Sequence, residues 1–323
     1  MSVEILHGNC LDRLKDLEDQ SINTCITSPP YWGLRNYEEE GQIGLENTPE
    51  EFVENLVQVF REVKRVLRDD GTVWLNLGDS YANQRGKGAD TIKNINVNTH
   101  GYKKPTHKQE QTNKNFNHKL NYGFLKPKNL VGIPWRVAFA LQADGWYLRQ
   151  DIIWHKPNCT PESVKDRCTK AHEYIFLLSK SPKYYYDNEA VKEDCVGKDE
   201  RKWADTYENV GNITQDNTNA GIKRTKRYSK DGNFKRNRRS VWTVTTKAFK
   251  GAHFATFPMD LIEPCVLAGC PEGGIVLDPF GGAGTTALVA NKHNRNAILI
   301  ELNQDYIDLT RDRLNKEKEK QYE

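Results

Sequence analysis

Short apolar runs rich in β-branched residues alternate along the chain with stretches in which apolar residues recur at helical spacing. The runs 2–7 (SVEILH) and 22–27 (INTCIT) have the length and composition of strands, and they flank the helix-like LDRLKDLED. Further strands are predicted at 72–77, 147–154, 173–178, 274–278 and 297–301, and further helices at 134–143, 284–291 and 303–320. Such alternation predicts an α/β fold with a mostly parallel sheet and helices on both faces.

One helix is marked by its first residues as well as by its period. Thr48 is a capping residue, Pro49 takes the first helical position, and Glu51 completes the pattern of a capping box. Apolar residues then follow at helical spacing: Phe52, Leu56, Phe60, Val63 and Leu67. The pattern predicts an amphipathic helix that ends near Gly71, with the strand 72–77 directly after it.

Hydropathy and cysteine usage exclude a membrane protein and a disulfide scaffold. Hydrophobic residues make up 37% of the 323 residues and charged residues 28%, and no stretch approaches the ~18 to 20 apolar residues of a membrane span. The chain starts without the apolar run of a signal peptide, so we expect a cytoplasmic protein. Seven cysteines without a CxxC pair suit reduced thiols, and no metal site is expected.

The net charge of +3 conceals two basic segments on an acidic chain. Residues 85–128 contain ten Lys and Arg against two acidic residues, and residues 222–239 contain nine against one. Each segment therefore carries +8, which leaves −13 for the rest of the chain. Such segregation favours a polyanionic partner, although a pair of solvated loops without any partner would have the same composition.

The two basic segments differ in their other residues. The first is rich in Asn, Gln, Thr and His and has almost no aliphatic residues, which is typical of a long mobile insertion. The second interleaves Tyr228 and Phe234 with its cations, as a surface that contacts both phosphates and bases would. The composition therefore favours a nucleic acid as the polyanion.

Residues 274–303 have the order strand, glycine-rich turn, helix and second strand. Gly281, Gly282 and Gly284 allow the backbone to turn sharply and approach a ligand, and Glu301 follows Asp278 by 23 residues, where it can accept hydrogen bonds from two ribose hydroxyls. The dinucleotide fingerprint G-x-G-x-x-G is not met. A nucleotide cofactor is expected, while an NAD enzyme, or a turn that only joins strand to helix, stays open.

The segment Ser28-Pro29-Pro30-Tyr31-Trp32 follows a strand directly, at the end where open α/β sheets bind ligands. Pro30 has no N–H and holds Pro29 extended, so the Pro29 carbonyl is rigid and unpaired, and the Ser28 hydroxyl is a second acceptor. Two acceptors that hold the hydrogens of a heteroaromatic amine aim its lone pair at an electrophile. Tyr31 or Trp32 then offers an aromatic face to a base taken out of a duplex. A stiff turn before a core aromatic residue is the alternative.

Together, these two segments resemble the β subgroup of amino DNA methyltransferases that use S-adenosylmethionine. The SPPY segment precedes the cofactor loop, as in that subgroup, and the resemblance covers most of the chain. Further segments that resemble motifs of the family are HGNCLDRL, VLRDDGTVWLNLGDSY, DIIWHKPN, HEYIFLLSK and AHFATFPMDLIEPCVL. The resemblance implies a Rossmann-like methyltransferase fold. The chain departs from it at Asn9, where many relatives have Asp, and at GGAGTT, where GSGTT is commoner.

The resemblance also assigns roles to individual residues. Handling of the target base is implied for Ser28, Pro29, Pro30 and Tyr31. Contact with the cofactor is implied for Asp278, Pro279, Phe280, Gly281, Gly282, Gly284, Thr285, Thr286, Glu301, His253 and Phe254. Contact with DNA is expected for Trp32, Arg35, Lys223, Arg224, Lys226, Arg227, Lys235, Arg236, Arg238 and Arg239.

The chain is expected to divide into five consecutive parts. These are 1–82, the catalytic half of the methyltransferase domain; 83–128, the basic mobile insertion; 129–187, the domain continued; 188–240, a target-recognition region; and 241–323, the cofactor-binding half. The family usually reads DNA sequence between its middle motifs and the segment that resembles HFATFP, which is why 188–240 is given that role.

The expected reaction moves a methyl group from S-adenosylmethionine to the exocyclic amine of a flipped base in double-stranded DNA. Relatives with Ser before Pro-Pro-Tyr more often modify the cytosine N4 amine, so cytosine is favoured and adenine N6 is the alternative. Methylation of the cytosine ring carbon would need a cysteine nucleophile, and Cys265 lies in an apolar run that predicts a buried thiol.

Other functions remain open at this point. One is a nucleic-acid-binding protein that keeps the fold but has lost catalysis, and others are methylation of RNA or of a protein glutamine amide. The expected partners are double-stranded DNA and, in a restriction–modification system, a cognate endonuclease that acts separately. No membrane contact is expected, and the enzyme would work as a monomer or a homodimer.

Overall fold

Ten strands and six helices form the described part of the chain. A computed structural model describes residues 1–34, 36, 39–82, 120–194, 235–246 and 257–322. The strands are β1 (Val3–His7), β2 (Ile22–Thr27), β3 (Leu67–Leu77), β4 (Tyr147–His155), β5 (His172–Ser179), β6 (Glu193–Asp194), β7 (Lys235–Arg236), β8 (Val241–Thr243), β9 (Ile275–Asp278) and β10 (Asn296–Glu301). The helices are α1 (Cys10–Leu14), α2 (Pro49–Val66), α3 (Ile133–Ala143), α4 (Met259–Gly269), α5 (Thr285–Lys292) and α6 (Gln304–Tyr322).

Eight of the strands form one sheet in the order β1-β10-β9-β2-β3-β5-β4-β8. Neighbouring strands are parallel except that β5 runs antiparallel to both β3 and β4, which confirms a mostly parallel sheet. Successive side chains of a strand point to opposite faces. Accordingly, Val73 and Leu75 belong to the core on one face and Trp74 to the core on the other. Helices α1 to α3 cover the first face, and α4 and α5 cover the second.

Helix α2 begins as the sequence predicts. The Glu51 backbone N–H donates to Thr48 Oγ1 at 3.1 Å and the Thr48 N–H donates to Glu51 Oε2 at 3.2 Å, so the capping box is formed. The helix ends at Val66 and β3 begins at the next residue, earlier than predicted, because Leu67 pairs with Ile22 of β2.

Helix α4 is absent from the sequence prediction. Its residues are apolar around most of the circumference and it contains Pro264, so it shows neither an amphipathic period nor an uninterrupted helical sequence. None of the helices in the described ranges is long and apolar enough to cross a membrane.

The order of the sheet reverses between β9 and β2. These two strands are parallel neighbours, with Cys25 opposite Leu277. From β9 the chain continues to β10 on one side, and from β2 it continues to β3 on the other side. The loops that follow β2 and β9 therefore leave the same edge of the sheet at a topological switch point, where open α/β sheets bind ligands.

The antiparallel strand β5 brings a further set of polar residues to this edge. Because β5 runs opposite to β3 and β4, its amino end lies beside their carboxyl ends, and Glu173 is opposite Trp154. Asn76 near the end of β3, Lys156 directly after β4 and Glu173 near the start of β5 thereby reach the loop after β2.

Candidate active site

A cavity of about 400 Å³ lies at the switch point. The lining includes Ser28, Pro29, Pro30 and Tyr31 of the loop after β2 and, from the cofactor-binding half of the chain, Pro279, Phe280, Gly282, Ala283, Glu301, Asn303 and Tyr306. The volume is typical of a site for a small molecule. The sheet topology thus joins the SPPY segment and the glycine-rich turn in one cavity, as the sequence predicts.

Asp278 joins the end of β2 to the glycine-rich turn by hydrogen bonds. Its carboxylate accepts hydrogen bonds from the Thr27 and Thr286 hydroxyls, each at 2.6 Å, and from the Phe280 N–H at 3.1 Å. The residue is only 2% exposed, and burial raises its pKa to about 6 although the three hydrogen bonds lower it. A carboxylate enclosed in this way supports the loop, and the expected contact of Asp278 with the cofactor stays a prediction.

The glycine-rich turn needs its glycines for packing. Gly284 has φ +74° immediately before α5, and a Cβ at this position would collide with Cγ2 of Thr310 on α6. Arg313 of α6 donates to the Ala283 carbonyl and, at 3.3 Å, to the Thr285 hydroxyl. The turn is therefore fixed against α6.

Besides Asp278, four residues expected to contact the cofactor lie outside the set of described residues that line the cavity. They are Gly281, Gly284, Thr285 and Thr286. Gly281 packs against Leu299 of β10, and the Thr286 hydroxyl donates to Asp278. Cofactor contact stays a prediction for these residues, and likewise for the four that line the cavity, Pro279, Phe280, Gly282 and Glu301.

Glu301 is the acid at the end of β10. Its Oε2 accepts the Gly282 N–H at 2.7 Å and its Oε1 accepts the Asn303 N–H at 2.9 Å. Burial raises the pKa of Glu301, and these backbone N–H groups lower it. The carboxylate is thereby held in one orientation against the cavity, as an acceptor for ribose hydroxyls must be.

Tyr31 also lines the cavity and is anchored by its hydroxyl. Its hydroxyl donates to Glu173 Oε2 at 2.7 Å, and Lys156 forms an ion pair with Glu173. A Cβ on Gly78 would lie 2.5 Å from Cε2 of Tyr31, so only glycine leaves room for the ring. Burial raises the pKa of Tyr31, and the carboxylate of Glu173 raises it further.

Three further residues line the cavity without a role predicted from sequence: Asn76, Lys156 and Glu173. Their only sequence signal is that they lie in segments that resemble middle motifs of a known family. The pairing of Glu173 with Lys156 depends on the antiparallel direction of β5, which the alternation of strands and helices does not indicate.

Trp32 and Cys265 are both buried. Trp32 is 4% exposed, its Nε1–H donates to the Glu46 carbonyl at 2.9 Å, and its ring packs edge-on against Tyr122. Its contact with DNA stays a prediction, and Tyr31 is one of several aromatic residues that line the cavity. Cys265 is 1% exposed and burial raises the pKa of its thiol, which confirms a buried cysteine.

The described basic residues of the second segment surround a short ribbon formed by β6 and β7. The Nε–H groups of Arg236 and Arg239 donate to Glu193 Oε1 at 2.9 and 2.5 Å, and the Arg238 guanidinium lies 4.7 Å from the centre of the Trp242 ring. Contact of Lys235, Arg236, Arg238 and Arg239 with DNA remains a prediction. The remaining residues with expected roles lie outside the described ranges: Arg35, Lys223, Arg224, Lys226, Arg227, His253 and Phe254.

Comparison with known proteins identifies the family. The sequence profile of a family described as DNA methylase matches residues 22–312. The chain belongs to the DNA methylase family. It is 44% identical over 313 residues to the type II methyltransferase M.Cfr9I of Citrobacter freundii, covering 97% of this chain and 88% of that protein. It is 42% identical to the type II methyltransferase M.SmaI of Serratia marcescens, covering 97% and 91%.

Solved structures agree with this assignment at the level of the fold. The PvuII DNA methyltransferase (cytosine-N4-specific) aligns with a TM-score of 0.61 and 18% identity, covering 96% of this DNA methylase and 85% of that chain. A putative DNA modification methylase from Thermus thermophilus, complexed with S-adenosyl-L-methionine, aligns with a TM-score of 0.57 and 21% identity, covering 98% and 96%. The predicted Rossmann-like methyltransferase fold is confirmed.

Membership of the family confirms the expected enzyme class, an S-adenosylmethionine-dependent DNA methyltransferase. The described residues fit this cofactor. Glu301 is a half-buried carboxylate whose orientation is fixed by two backbone N–H groups, and it faces a cavity that extends to the segment expected to hold the target base.

Proposed function

We propose that this DNA methylase transfers a methyl group to the N4 amine of a cytosine that is flipped out of double-stranded DNA. The observation that carries the proposal is the shared cavity. Ser28, Pro29 and Tyr31 line it together with Glu301, so an amine held by the first three residues and a donor held by Glu301 would share one cavity.

The role of the SPPY segment is to orient the target amine. An exocyclic amine is a poor nucleophile because its lone pair is delocalised into the ring. The Ser28 hydroxyl and the Pro29 carbonyl accept its hydrogens and so turn the lone pair towards the cofactor end of the cavity. When bound, S-adenosylmethionine supplies the methyl group on a positively charged sulfur. Tyr31 forms the wall beside the ring of the base.

The choice of cytosine is supported by Ser28. A neutral hydroxyl stands where relatives that modify adenine more often have Asp or Asn. The rest of the cavity, including the Glu173–Lys156 ion pair near Tyr31, is compatible with a base that presents both an amine and a carbonyl oxygen.

The proposal is tested by the product. Wild-type enzyme is incubated with unmethylated duplex DNA and S-adenosylmethionine, and the DNA is hydrolysed to nucleosides that are separated by liquid chromatography and mass spectrometry. We expect N4-methylcytosine. N6-methyladenine would overturn the choice of base, and 5-methylcytosine would overturn transfer to an amine. Parallel reactions with RNA and with protein test the remaining substrates, and Ser28→Ala is the control for transfer at this site.

Sequence recognition is proposed for residues 188–240, and closure over the duplex for the insertion 83–128. The type II names of the relatives support a modification enzyme whose cognate endonuclease is a separate protein. To test this, plasmid DNA is sequenced before and after methylation by the enzyme, with a read-out for modified cytosine. If the assignment is correct, the modified cytosines all lie within one short recurrent sequence.

A further inference from the structure

Residues 39–44, hereafter the strap, form part of the cavity wall. Four of them line the cavity: Glu39, Gly41, Gln42 and Ile43. Ile43 is only 7% exposed and belongs to the core, and the Gly44 carbonyl accepts the Gly33 N–H at 2.8 Å. A Cβ on Gly44 would lie 3.2 Å from Cβ of Pro30, so this end of the strap is anchored beside the SPPY segment.

Two asparagine side chains hold the other end of the strap. The Asn9 amide donates to the Gly41 carbonyl at 3.1 Å, and the Asn303 amide donates to Glu39 Oε1 at 3.0 Å. Gly41 has φ +80°, and a Cβ there would lie 2.9 Å from Nδ2 of Asn9. The strap therefore approaches Asn9 as closely as only glycine allows.

Both asparagines come from the edge of the sheet that carries Glu301. Asn9 lies two residues after β1 and Asn303 two residues after β10, and these parallel strands are neighbours. The Asn303 backbone N–H donates to Glu301 Oε1 at 2.9 Å while its side chain holds Glu39. Asn303 thus joins the strap directly to the acid that is expected to bind the cofactor.

The two asparagines share a second task. The Asn9 Oδ1 accepts the Leu11 N–H at 2.9 Å at the start of α1, and the Asn303 Oδ1 accepts the Tyr306 N–H at 3.2 Å at the start of α6. An aspartate caps a helix as well as an asparagine does, but its carboxylate has no hydrogen to donate. Capping alone therefore gives no reason for an amide at either position, whereas contact with the strap requires one.

We propose that Asn9 and Asn303 are positioning residues that fix the strap against bound S-adenosylmethionine and thereby slow its dissociation. The strap, both asparagines and Glu301 line one cavity, so a cofactor held by Glu301 lies in the space that the strap helps to enclose. The inference rests on the expected position of the cofactor at Glu301 and is independent of the choice of target base.

The test measures release of the cofactor in the absence of DNA. Radiolabelled S-adenosylmethionine is bound to each protein and chased with an excess of unlabelled cofactor. Asn9→Asp and Asn303→Asp keep the capping oxygen and lose only the donor to the strap. We expect each to raise the dissociation rate constant on the order of 10-fold, because one lost hydrogen bond changes affinity by this order and chiefly through dissociation. Thermal unfolding without cofactor should change little, since both caps remain.

Asn296→Asp is the matched control. The Asn296 amide also donates to a glycine carbonyl, that of Gly273 at 2.8 Å, and its Oδ1 also accepts a backbone N–H, that of Ser2 at 2.9 Å. Asn296 lies at the amino end of β10 and is not among the described residues that line the cavity. This variant should release the cofactor at the wild-type rate.

An exchange of donor and acceptor separates the contact itself from other effects of the substitution. In Asn303→Asp, two carboxylates face each other; when Glu39→Gln is added, the new amide can donate to the new carboxylate. We expect this double variant to release the cofactor within about three-fold of the wild-type rate. Glu39→Gln alone should have a smaller effect than Asn303→Asp, because an amide oxygen still accepts a hydrogen bond, although more weakly than a carboxylate.

Two results overturn the inference. One is wild-type release from Asn9→Asp and Asn303→Asp, since the strap would then not retain the cofactor. The other is a double variant that releases as fast as Asn303→Asp, since the hydrogen bond to Glu39 would then not be the cause. Neither result changes the methylated product of the wild-type enzyme, so the proposed function is tested separately.

Discussion

At the scale of single residues, Asp278 and Glu301 are two carboxylates in similar surroundings with different tasks. Asp278 is buried and Glu301 half-buried beside the glycine-rich turn, and burial raises the pKa of each. Asp278 has its oxygens occupied by two hydroxyls and one N–H, whereas Glu301 faces the cavity. Hydrogen-bond partners therefore distinguish the acid that supports the loop from the acid that is available to a ligand.

Asp278 should make the stability of the fold depend on pH. Folding raises the pKa of this carboxyl from 3.8 to about 6, so its contribution is fully present below about pH 4 and is lost as the pH rises through about 6. The loss amounts to about 3 kcal/mol. We expect the free energy of unfolding of wild type, minus that of Asp278→Asn, to fall by this order between pH 4 and pH 7 in urea titrations. A difference that stays level, or grows with pH, would contradict the burial of this charge.

Glu301 should control the affinity for the cofactor. In Glu301→Gln, the amide NH₂ would face the N–H of either Gly282 or Asn303, so one backbone donor loses its acceptor and the side chain turns away from its present orientation. We expect S-adenosylmethionine to bind roughly 10- to 100-fold more weakly in calorimetry. The control is Glu263→Gln, which removes a carboxylate of α4 that contacts Lys292 and His293, and this protein should bind as wild type does. Equal affinities of all three proteins would exclude Glu301 from the cofactor site.

At the scale of elements, the turn before α5 is defined by how closely α6 approaches it. Gly284 and Gly273 have nearly the same left-handed backbone, with φ of +74° and +76°, but a Cβ on Gly284 would collide with Thr310 whereas one on Gly273 meets nothing within 4 Å. Comparing these two glycines therefore separates the effect of backbone strain from the effect of packing.

Alanine at these two glycines should therefore have unequal effects. Gly273→Ala adds only the strain of a left-handed residue, about 1–2 kcal/mol of the free energy of unfolding. Gly284→Ala adds overpacking of about 1–3 kcal/mol and should also weaken cofactor binding, because the turn must move away from α6. Thermal or urea unfolding with and without S-adenosylmethionine measures both effects. If the two variants lost similar free energies of unfolding, α6 would have moved to make room for the added methyl group.

Local signals account for the elements that the sequence predicts correctly. The capping box at Thr48 and the strand–turn–helix of 274–291 are contained in a few neighbouring residues, and so is the SPPY segment. What the sequence does not indicate is pairing over long distances. The antiparallel direction of β5 depends on contacts with β3 and β4, and it alone brings Glu173 to Tyr31. The parts of the candidate site at strand ends that carry a motif are thus predictable from sequence. The polar residues that reach the site only through the topology of the sheet are not.

At the scale of the whole molecule, the topology brings the candidate site residues together at one edge of the sheet. The loops after β2 and β9, the ends of β3 and β4 and the start of β5 all meet there. The opposite edge carries exposed ion pairs such as Arg68 with Asp70 and Lys15 with Asp12. We therefore predict that DNA approaches the first edge, guided by the two basic segments of an otherwise acidic chain.

This arrangement predicts how binding to duplex DNA depends on salt. Each phosphate contact adds about 0.9 to the slope of log K against log salt concentration, so Lys226→Ala/Arg227→Ala should reduce the slope by up to about 2. The control removes two exposed cations of the opposite edge, Lys15→Ala/Arg68→Ala, and should leave the slope unchanged although the net charge falls equally. Fluorescence anisotropy with one labelled duplex at several salt concentrations measures all three slopes. If the two double variants lost the same slope, total charge rather than the position of the second basic segment would govern binding, because only a segment that touches phosphates releases their counterions.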